Sequence, residues 1–95
     1  MDGFEWDPTK AEANLRKHGI GFEDAALALM GAALTQQSRR GDESRFQSFC
    51  IMDGEIISVA WTPRDSAIRI LSARRAKRDE RHKYRETLSR AAEGR

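Results

Sequence analysis

The sequence predicts a single α+β domain in which two short helices precede an antiparallel sheet and a third helix follows it. Asp7-Pro8 is a helix start, with aspartate as N-cap and proline at the first helical position. After Ala33 the apolar residues change from a helical spacing toward alternation, which is typical of strands. Asp53-Gly54 separates two such alternating segments and is a strong signal for a tight hairpin.

The first helix is expected to end near Lys17, because Gly19 stands where a C′ glycine terminates a helix. A short strand at 4–6 precedes it. Within the helix, an i, i+4, i+7 spacing predicts an inward stripe that consists of Ala11, Leu15 and His18. A second short helix follows, with apolar residues at Phe22, Ala25, Ala26 and Leu29 and with Gly31 closing it.

Three to four antiparallel strands are expected after the second helix, in addition to the short N-terminal strand. The first of them, weakly patterned, spans 33–38, and a polar turn at 39–44 leads to strands at 45–52 and 55–62. A two-residue turn at Asp53-Gly54 fixes their register. It sets an apolar side in which Phe46 faces Trp61, Ser48 faces Val59 and Cys50 faces Ile57.

The last strand is expected at 67–73 after a turn at Arg64-Asp65. A two-residue turn at that point would set Ile68 beside Trp61, and Arg69 would project from the opposite face beside Ala60. The third helix then runs from about residue 75 to 92. Two neighbouring stripes are predicted on it, an inward one of Glu80, Tyr84, Leu88 and Ala91 and a basic one of Lys77, Arg81 and Arg85.

Composition limits the function classes. Ninety-five residues form one domain with one modest core. The lone Cys50 excludes an intramolecular disulfide, and we expect neither a metal site nor a cofactor. There is no apolar run near 18 residues, and the acidic N-terminus is unlike a signal peptide, so a cytoplasmic protein without a membrane segment is expected.

Charge is distributed unevenly along the chain. Residues 1–60 contain 6 Lys or Arg against 10 Asp or Glu, whereas residues 61–95 contain 11 against 5. A basic block of this kind indicates a nucleic-acid partner or a protein that covers it, and the alternative is a solvated, charge-rich helix.

Most of the basic residues after position 60 are arginines, which favours forked contacts to phosphate. The predicted pairing brings several of them to one open sheet face or its rim. We therefore expect a phosphate site, with ordinary surface ion pairs as the alternative. The arginines concerned are Arg45, Arg64, Arg69, Arg74 and Arg81.

Three residues near this set could move protons, namely Glu80, His18 and Tyr84. Cleavage of RNA by its own 2′-hydroxyl requires a base, an acid and cations that stabilise the phosphorane, and it requires no metal. Each residue also has a structural interpretation, as an arginine partner, a helix C-cap and a core aromatic respectively.

Four segments together resemble the BrnT toxins of the BrnT/BrnA type II toxin-antitoxin systems. They are FEWDPTKAEANLRKHGIGFEDA at 4–25, Thr-Pro-Arg at 62–64, IRILSAR at 68–74, and Glu80-Arg81 followed by Tyr84. The resemblance implies a RelE-like fold and metal-independent endonucleolytic cleavage of RNA. It also implies neutralisation by a BrnA-like antitoxin, and binding to operator DNA through the antitoxin alone.

Carried onto this chain, the family motifs fall on Lys17, His18 and Gly19, on Thr62 and Arg64, on Ser72 and Arg74, and on Glu80, Arg81 and Tyr84. The candidate catalytic residues are therefore His18, Arg64, Arg69, Arg74, Glu80, Arg81 and Tyr84, and the candidate RNA-binding residues are Lys17, Arg45 and Lys77.

The chain departs from the family pattern at Glu55 and around Arg64, where Pro63 and Asp65 alter the turn. These departures leave open a non-catalytic module that binds the antitoxin. A toxin with a different target such as DNA gyrase also stays open, because a fold alone cannot assign a target.

Overall fold

The computed structural model describes residues 3–38 and 44–93, so most of the polar turn predicted at 39–44 lies outside the described residues. It is an α+β fold with three helices and a five-stranded sheet, as the sequence predicts in outline. In chain order the elements are β1 (Gly3–Glu5), α1 (Pro8–His18), α2 (Phe22–Leu29), β2 (Leu34–Ser38), β3 (Arg45–Met52), β4 (Glu55–Arg64), β5 (Ala67–Arg75) and α3 (Arg78–Glu93).

The strands are ordered β1-β5-β4-β3-β2. Neighbours from β2 to β5 are antiparallel, but β1 pairs with β5 in parallel. The expected antiparallel sheet is therefore confirmed for β2 to β5, whereas the short N-terminal strand makes the whole sheet mixed. Almost the entire domain lies between β1 and β5 in the chain, so no hairpin constrains their relative direction.

The β3–β4 hairpin confirms its predicted register. Phe46 pairs with Trp61, Ser48 with Val59 and Cys50 with Ile57. Asp53 and Gly54 have φ values of 51° and 79°, and positive φ at both central residues is what a type I′ turn requires. The turn chemistry therefore determines how these two long strands align.

The β4–β5 register differs from the prediction. The turn residues are Asp65 and Ser66, because Arg64 still pairs with Ala67, and Asp65 takes the left-handed φ of 55° that aspartate tolerates. As a result Arg69 pairs with Thr62 and not with Ala60. Arg69 nevertheless projects from the sheet face that was predicted for it, the face opposite the core.

A β-bulge interrupts the same pair of strands. Trp61 pairs with Ile70, but its neighbour Ala60 pairs with Ser72, so Leu71 is an extra residue in β5. An extra residue moves every later side chain to the other face of the sheet. Arg74 consequently pairs with Ser58 on the face opposite the core.

The two faces of the sheet are covered unequally. On one face, α1 and α2 enclose the main core, in which Cys50, Ile57 and Val59 have no exposed surface. On the other face, α3 covers one end only. It forms a smaller cluster of Phe49, Ile56, Ala76 and Tyr84, with Leu34 and Leu88 at its margin.

The inward stripe predicted for α1 is partly wrong, because Leu15 is 52% exposed. Asn14 is the buried residue of this helix, and its side-chain amide joins α1 to the backbone of Ile20 and Ala73. The predicted caps are confirmed. Asp7 accepts a hydrogen bond from the Thr9 amide, and Gly19 is left-handed at φ 71°.

Helix α3 begins later than predicted, because Arg74 and Arg75 extend β5. Tyr84 is buried and Leu88 is half-buried as expected, but Ala91 is exposed. In the part of the chain that the structure describes, no helix is long and apolar enough to cross a membrane.

Candidate functional site

The uncovered end of the second sheet face forms a polar cavity, which we call the cleft. Its volume is about 570 Å³, and its floor includes Gln47 of β3, Ser58 of β4 and Ser72 of β5. Five charged side chains line it: Lys10, Arg45, Arg74, Lys77 and Glu80. Four cations and one carboxylate therefore share a surface built from α1, three strands and the start of α3.

Arg74 and Glu80 are joined by a forked ion pair. Nη1 and Nη2 of Arg74 donate to Oε1 and Oε2 of Glu80 at 2.9 and 3.0 Å. Nη1 also donates to the Arg75 carbonyl at 3.2 Å. Two parallel charge-assisted bonds fix the plane of the guanidinium, so Arg74 is held in one orientation.

Glu80 also stabilises the start of α3. Its Oε1 accepts a hydrogen bond from the Lys77 amide at 2.8 Å, which is the N3-to-N-cap contact of a capping box. The hydrogen bond from Arg74 lowers the pKa of Glu80, and the Lys77 amide adds to this against the opposing effect of burial. Glu80 is therefore an ionised, fully engaged partner of Arg74.

The pair with Glu80 leaves one side of the Arg74 guanidinium available. A guanidinium has five N–H bonds, and three of them are used by Glu80 and Arg75. The other two, on Nε and Nη2, have no partner among the described residues. Two adjacent N–H donors of this kind match two oxygens of a phosphate.

Residues 6–80 match the model of a protein family described as "Ribonuclease toxin, BrnT, of type II toxin-antitoxin system". The chain belongs to the BrnT family. The matched segment includes every residue that lines the cleft. A search of curated proteins gives no match.

Membership confirms the resemblance noted in the sequence, and the family is one of ribonuclease toxins that work with an antitoxin. Of the candidate catalytic and RNA-binding residues, the structure brings four together in the cleft. These are Arg45, Arg74, Lys77 and Glu80.

Three other predicted arginines lie outside the BrnT cleft. Arg69 is on the same sheet face but donates to Glu5 of β1 at 2.8 Å. Arg64 is exposed at the end of β4, and Arg81 donates from Nη1 to the Ala76 carbonyl at 2.7 Å. Arg81 therefore stabilises the junction of β5 and α3.

His18, Lys17 and Tyr84 do not line the cleft either. His18 ends α1, where its carbonyl accepts a hydrogen bond from Nη1 of Arg75. Tyr84 is buried, which raises the pKa of its phenol, and its hydroxyl donates to the Ala32 carbonyl at 3.1 Å. These contacts fit the structural interpretations of both residues.

Glu55, one of the departures from the BrnT pattern, has a structural partner. Its Oε2 accepts a hydrogen bond from Nε of Arg75 at 2.8 Å. Arg75 thus links the β3–β4 hairpin to the end of α1. Neither residue lines the cleft, so this departure does not alter the cation set.

Sequence reasoning missed Lys10, Gln47 and Ser58. The confirmed β3–β4 register places Gln47 on the same side as Arg45, and Ser58 beside Phe49 on that side, so strand alternation could have identified both. Lys10 had no such signal, because it reaches the cleft from a helix that packs on the other face. Across residues 3–38 and 44–93, no three His, Cys, Asp or Glu side chains are grouped to hold a metal ion.

Proposed function

We propose that the chain is a metal-independent endoribonuclease that binds an RNA phosphate in the cleft and cleaves the adjacent bond. The convergence of Lys10, Arg45, Arg74 and Lys77 on one cavity is the observation that carries this proposal. Membership of the BrnT family supports the ribonuclease class. The chemistry of the cleft supports the phosphate as the group that is bound.

In the proposed reaction the ribose 2′-hydroxyl attacks the neighbouring phosphorus, and the bond to the 5′-oxygen breaks. The products are a 2′,3′-cyclic phosphate and a free 5′-hydroxyl. Negative charge on the nonbridging oxygens increases in the phosphorane, and preorganised donors stabilise that charge most strongly. Arg74 has this role, because Glu80 fixes its guanidinium and leaves the Nε and Nη2 donors for the phosphate.

Glu80 is a positioning residue in this scheme and not the general base. Both of its oxygens accept hydrogen bonds, and Arg74 lowers its pKa, which weakens it as a base. Lys10 and Lys77 are the other titratable side chains at the cleft, apart from the arginines. We assign protonation of the departing 5′-oxygen to the ammonium group of one of these lysines and uptake of the 2′-hydroxyl proton to solvent water, and we assign no proton transfer to His18 or Tyr84.

The biological setting follows the family. We propose that a BrnA-like antitoxin neutralises the chain in the cytoplasm, and that the complex binds operator DNA only through the antitoxin. A relationship of the fold to RelE toxins belongs to the same proposal. The mixed sheet with α3 packed on one face is compatible with it.

The test is cleavage of a single-stranded RNA by the purified chain in EDTA, with the ends of the products analysed. We expect 2′,3′-cyclic phosphate ends, and we expect Arg74→Ala to reduce the rate about 100-fold, the effect of losing one oxyanion donor. Arg16→Ala is the matched control, because Arg16 forms an exposed i, i+4 pair with Glu12. Its rate should equal that of the wild type.

Intact RNA after incubation with the wild type, or equal rates for Arg74→Ala and the wild type, would refute the proposal. Arg74→Lys separates charge from geometry. A lysine keeps the charge but loses the fork, so we expect a rate between those of the wild type and the alanine variant.

A further inference from the structure

The two edges of the sheet differ in how their backbone groups are paired. The first part of β5 pairs with the short strand β1. Further along β5, the side-chain amide of Asn14 hydrogen-bonds to the N–H and the C=O of Ala73, at 3.0 and 2.9 Å. The opposite edge is β2, which pairs with β3 on one side. On its other side, no backbone group within residues 3–38 and 44–93 pairs with positions 34–37.

The hairpin register shows which groups of β2 point outward. Met52 and Glu55 flank a two-residue turn and form a hydrogen-bonded pair, after which the backbone of β3 bonds alternately to β4 and to β2. Leu34 and Gln36 therefore bond to β3 through their pairs Phe49 and Gln47. The N–H and C=O groups of Thr35 and Gln37 point away from the sheet.

In the part of the chain that the structure describes, the edge at 34–37 carries none of the usual protection against added strands. Natural sheets protect their edges with lysine, proline, a bulge or a covering element. The segment 34–37 is Leu-Thr-Gln-Gln and pairs with β3 in unbroken register. Its outward backbone groups are thus suited to bind another extended chain.

A groove runs between β2 and α3, with a volume of about 440 Å³. Leu34, Phe49 and Tyr84 form the apolar part of its wall, and the α3 side also carries Asp79, Glu80, Lys83 and Thr87. A strand added next to β2 directs alternate side chains toward this face of the sheet. The groove can therefore receive apolar side chains at every second position of such a strand.

The groove is continuous with the cleft. Glu80 lines both, and Gln36 at the groove donates from Nε2 to Oε1 of Gln47 at the cleft, at 3.0 Å. Along β2, the partner of Ser38 is Arg45, so the strand ends beside a cation of the cleft. A chain that follows β2 toward its end would arrive at the cations of the cleft.

We propose that the antitoxin adds an extended segment to the outer edge of β2, with apolar residues in the groove and acidic residues that follow over the cleft. Backbone bonds to Thr35 and Gln37 would supply affinity, and the groove would supply specificity. One part of this inference, that the acidic segment excludes RNA from the cleft, rests on the proposed ribonuclease function. The other part, that the antitoxin binds at the edge of β2, does not depend on that function.

A second copy of the chain fits this surface less well. Paired through the same edge, it would present Leu-Thr-Gln-Gln-Ser, which contains one large apolar residue and no acid. Because cations lie at the end of this edge, a partner with carboxylates at the corresponding position is electrostatically complementary. An antitoxin segment is therefore the occupant that the charges favour.

The first test is amide hydrogen exchange of the full chain with and without its cognate antitoxin, purified at full length. We expect the amides of Thr35 and Gln37 to gain protection of at least about tenfold in the complex. Unchanged exchange at both amides in a formed complex would overturn the proposal.

The second test is calorimetric titration of edge and groove variants with the same antitoxin. Gln37→Pro removes one outward N–H, and it should weaken binding by about tenfold, whereas Gln37→Ala keeps that N–H and should bind as the wild type does. Thr87→Arg fills the groove and should weaken binding to a similar extent. Ser89→Arg, an exposed position of α3 outside the groove, is its matched control.

Wild-type affinity in a folded Thr87→Arg variant would refute the groove as the binding site, even where Gln37→Pro fails to fold. A chain that dimerises without antitoxin and loses the dimer in Thr87→Arg would instead identify a second copy as the occupant. Cleavage of RNA by each variant alone is measured in parallel. A failed cleavage assay with intact antitoxin binding refutes the proposed function and leaves the edge inference standing.

Discussion

The covered and the open face of the sheet differ in chemistry although the same strands build both. In β3 and β4 the side chains that face α1 and α2 include Cys50, Ile57 and Val59, which have no exposed surface. Burial raises the pKa of the Cys50 thiol to about 11, as expected for a dry interior. Side chains of the same strands that point the other way, such as Gln47 and Ser58, line the cleft.

The comparison shows that strand alternation separates stability from binding. A residue on the covered face contributes through burial, whereas a residue one position away on the cleft side contributes through charge and hydrogen bonding. Substitutions on the two faces should therefore affect different measurements. Three experiments can break or sharpen this separation.

The largest effect is expected from Asn14→Leu on the covered side. The change leaves the Ile20 carbonyl and the N–H and C=O of Ala73 without their buried partner. Each unsatisfied group costs about 1–3 kcal/mol, so the free energy of unfolding should fall by about 3 kcal/mol or more in urea denaturation. Leu15→Ala, at an exposed neighbour, should change it by less than about 0.5 kcal/mol.

A loss below about 1 kcal/mol for Asn14→Leu would show that water or a rearranged backbone replaces the amide. The closure of the β5 edge would then not depend on this side chain.

A smaller effect, on binding alone, is expected from Ser72→Glu in the cleft. The new carboxylate stands among the cations that we propose hold phosphate, so affinity for a 2′-O-methylated, uncleavable RNA should fall about tenfold at low salt. Fluorescence anisotropy measures the affinity. The midpoint of thermal unfolding should not move, because Ser72 is exposed.

Ser66→Glu adds the same charge at the exposed β4–β5 turn and serves as the control. If both variants bind RNA equally weakly, net charge and not the cleft determines affinity.

The smallest effect is expected from Glu80→Gln, measured as stability against pH. Arg74 lowers the pKa of Glu80 in the folded chain, so the ionised form stabilises folding above the ordinary glutamate pKa of about 4.3. That contribution is lost as the pH falls through this value toward the folded pKa. At pH 7 the variant should be about 1 kcal/mol less stable than the wild type, the usual value of a helix cap, and the difference should shrink below about pH 4.

Glu93→Gln, exposed at the end of α3, should follow the wild-type curve. A difference between Glu80→Gln and the wild type that persists undiminished at pH 3 would mean that the carboxylate charge is not the source of the stabilisation.

Local signals predicted much of the fold. Asp7, Gly19 and the Asp53-Gly54 turn each act through backbone geometry within a few residues, and each confirmed its element. The predicted register of β4 and β5 was wrong for two reasons. Two possible turns of similar chemistry lie next to each other after Pro63, and nothing in the residue types marks Leu71 as the extra residue of a bulge. Registers that depend on tertiary packing leave no such local signature.

The sequence predicted what kinds of residue line the cleft, but it did not predict which individual residues do so. The sequence placed Arg45 and Arg74 in one set of five arginines with Glu80 beside it, and it gave Lys77 as a candidate RNA-binding residue; these four line the cleft. It could not separate Arg69 from them, because the partner of Arg69 is Glu5, which is 64 residues away in the chain. Asn14 was missed for the same reason, since its buried partner Ala73 lies 59 residues away.

The bulge at Leu71 makes chain length, as well as residue identity, a determinant of the cleft. A point substitution in β5 changes one side chain and leaves the others on their faces, but a residue inserted between Ser72 and Arg74 would exchange the two faces for everything that follows. With the insertion before Ala73, Arg74 would take the exposed position of Arg75 opposite Ile57, and Ala73 would occupy the place of Arg74 beside Ser58. We therefore expect related chains to differ at the cleft by substitutions and not by insertion or deletion of single residues in this part of β5.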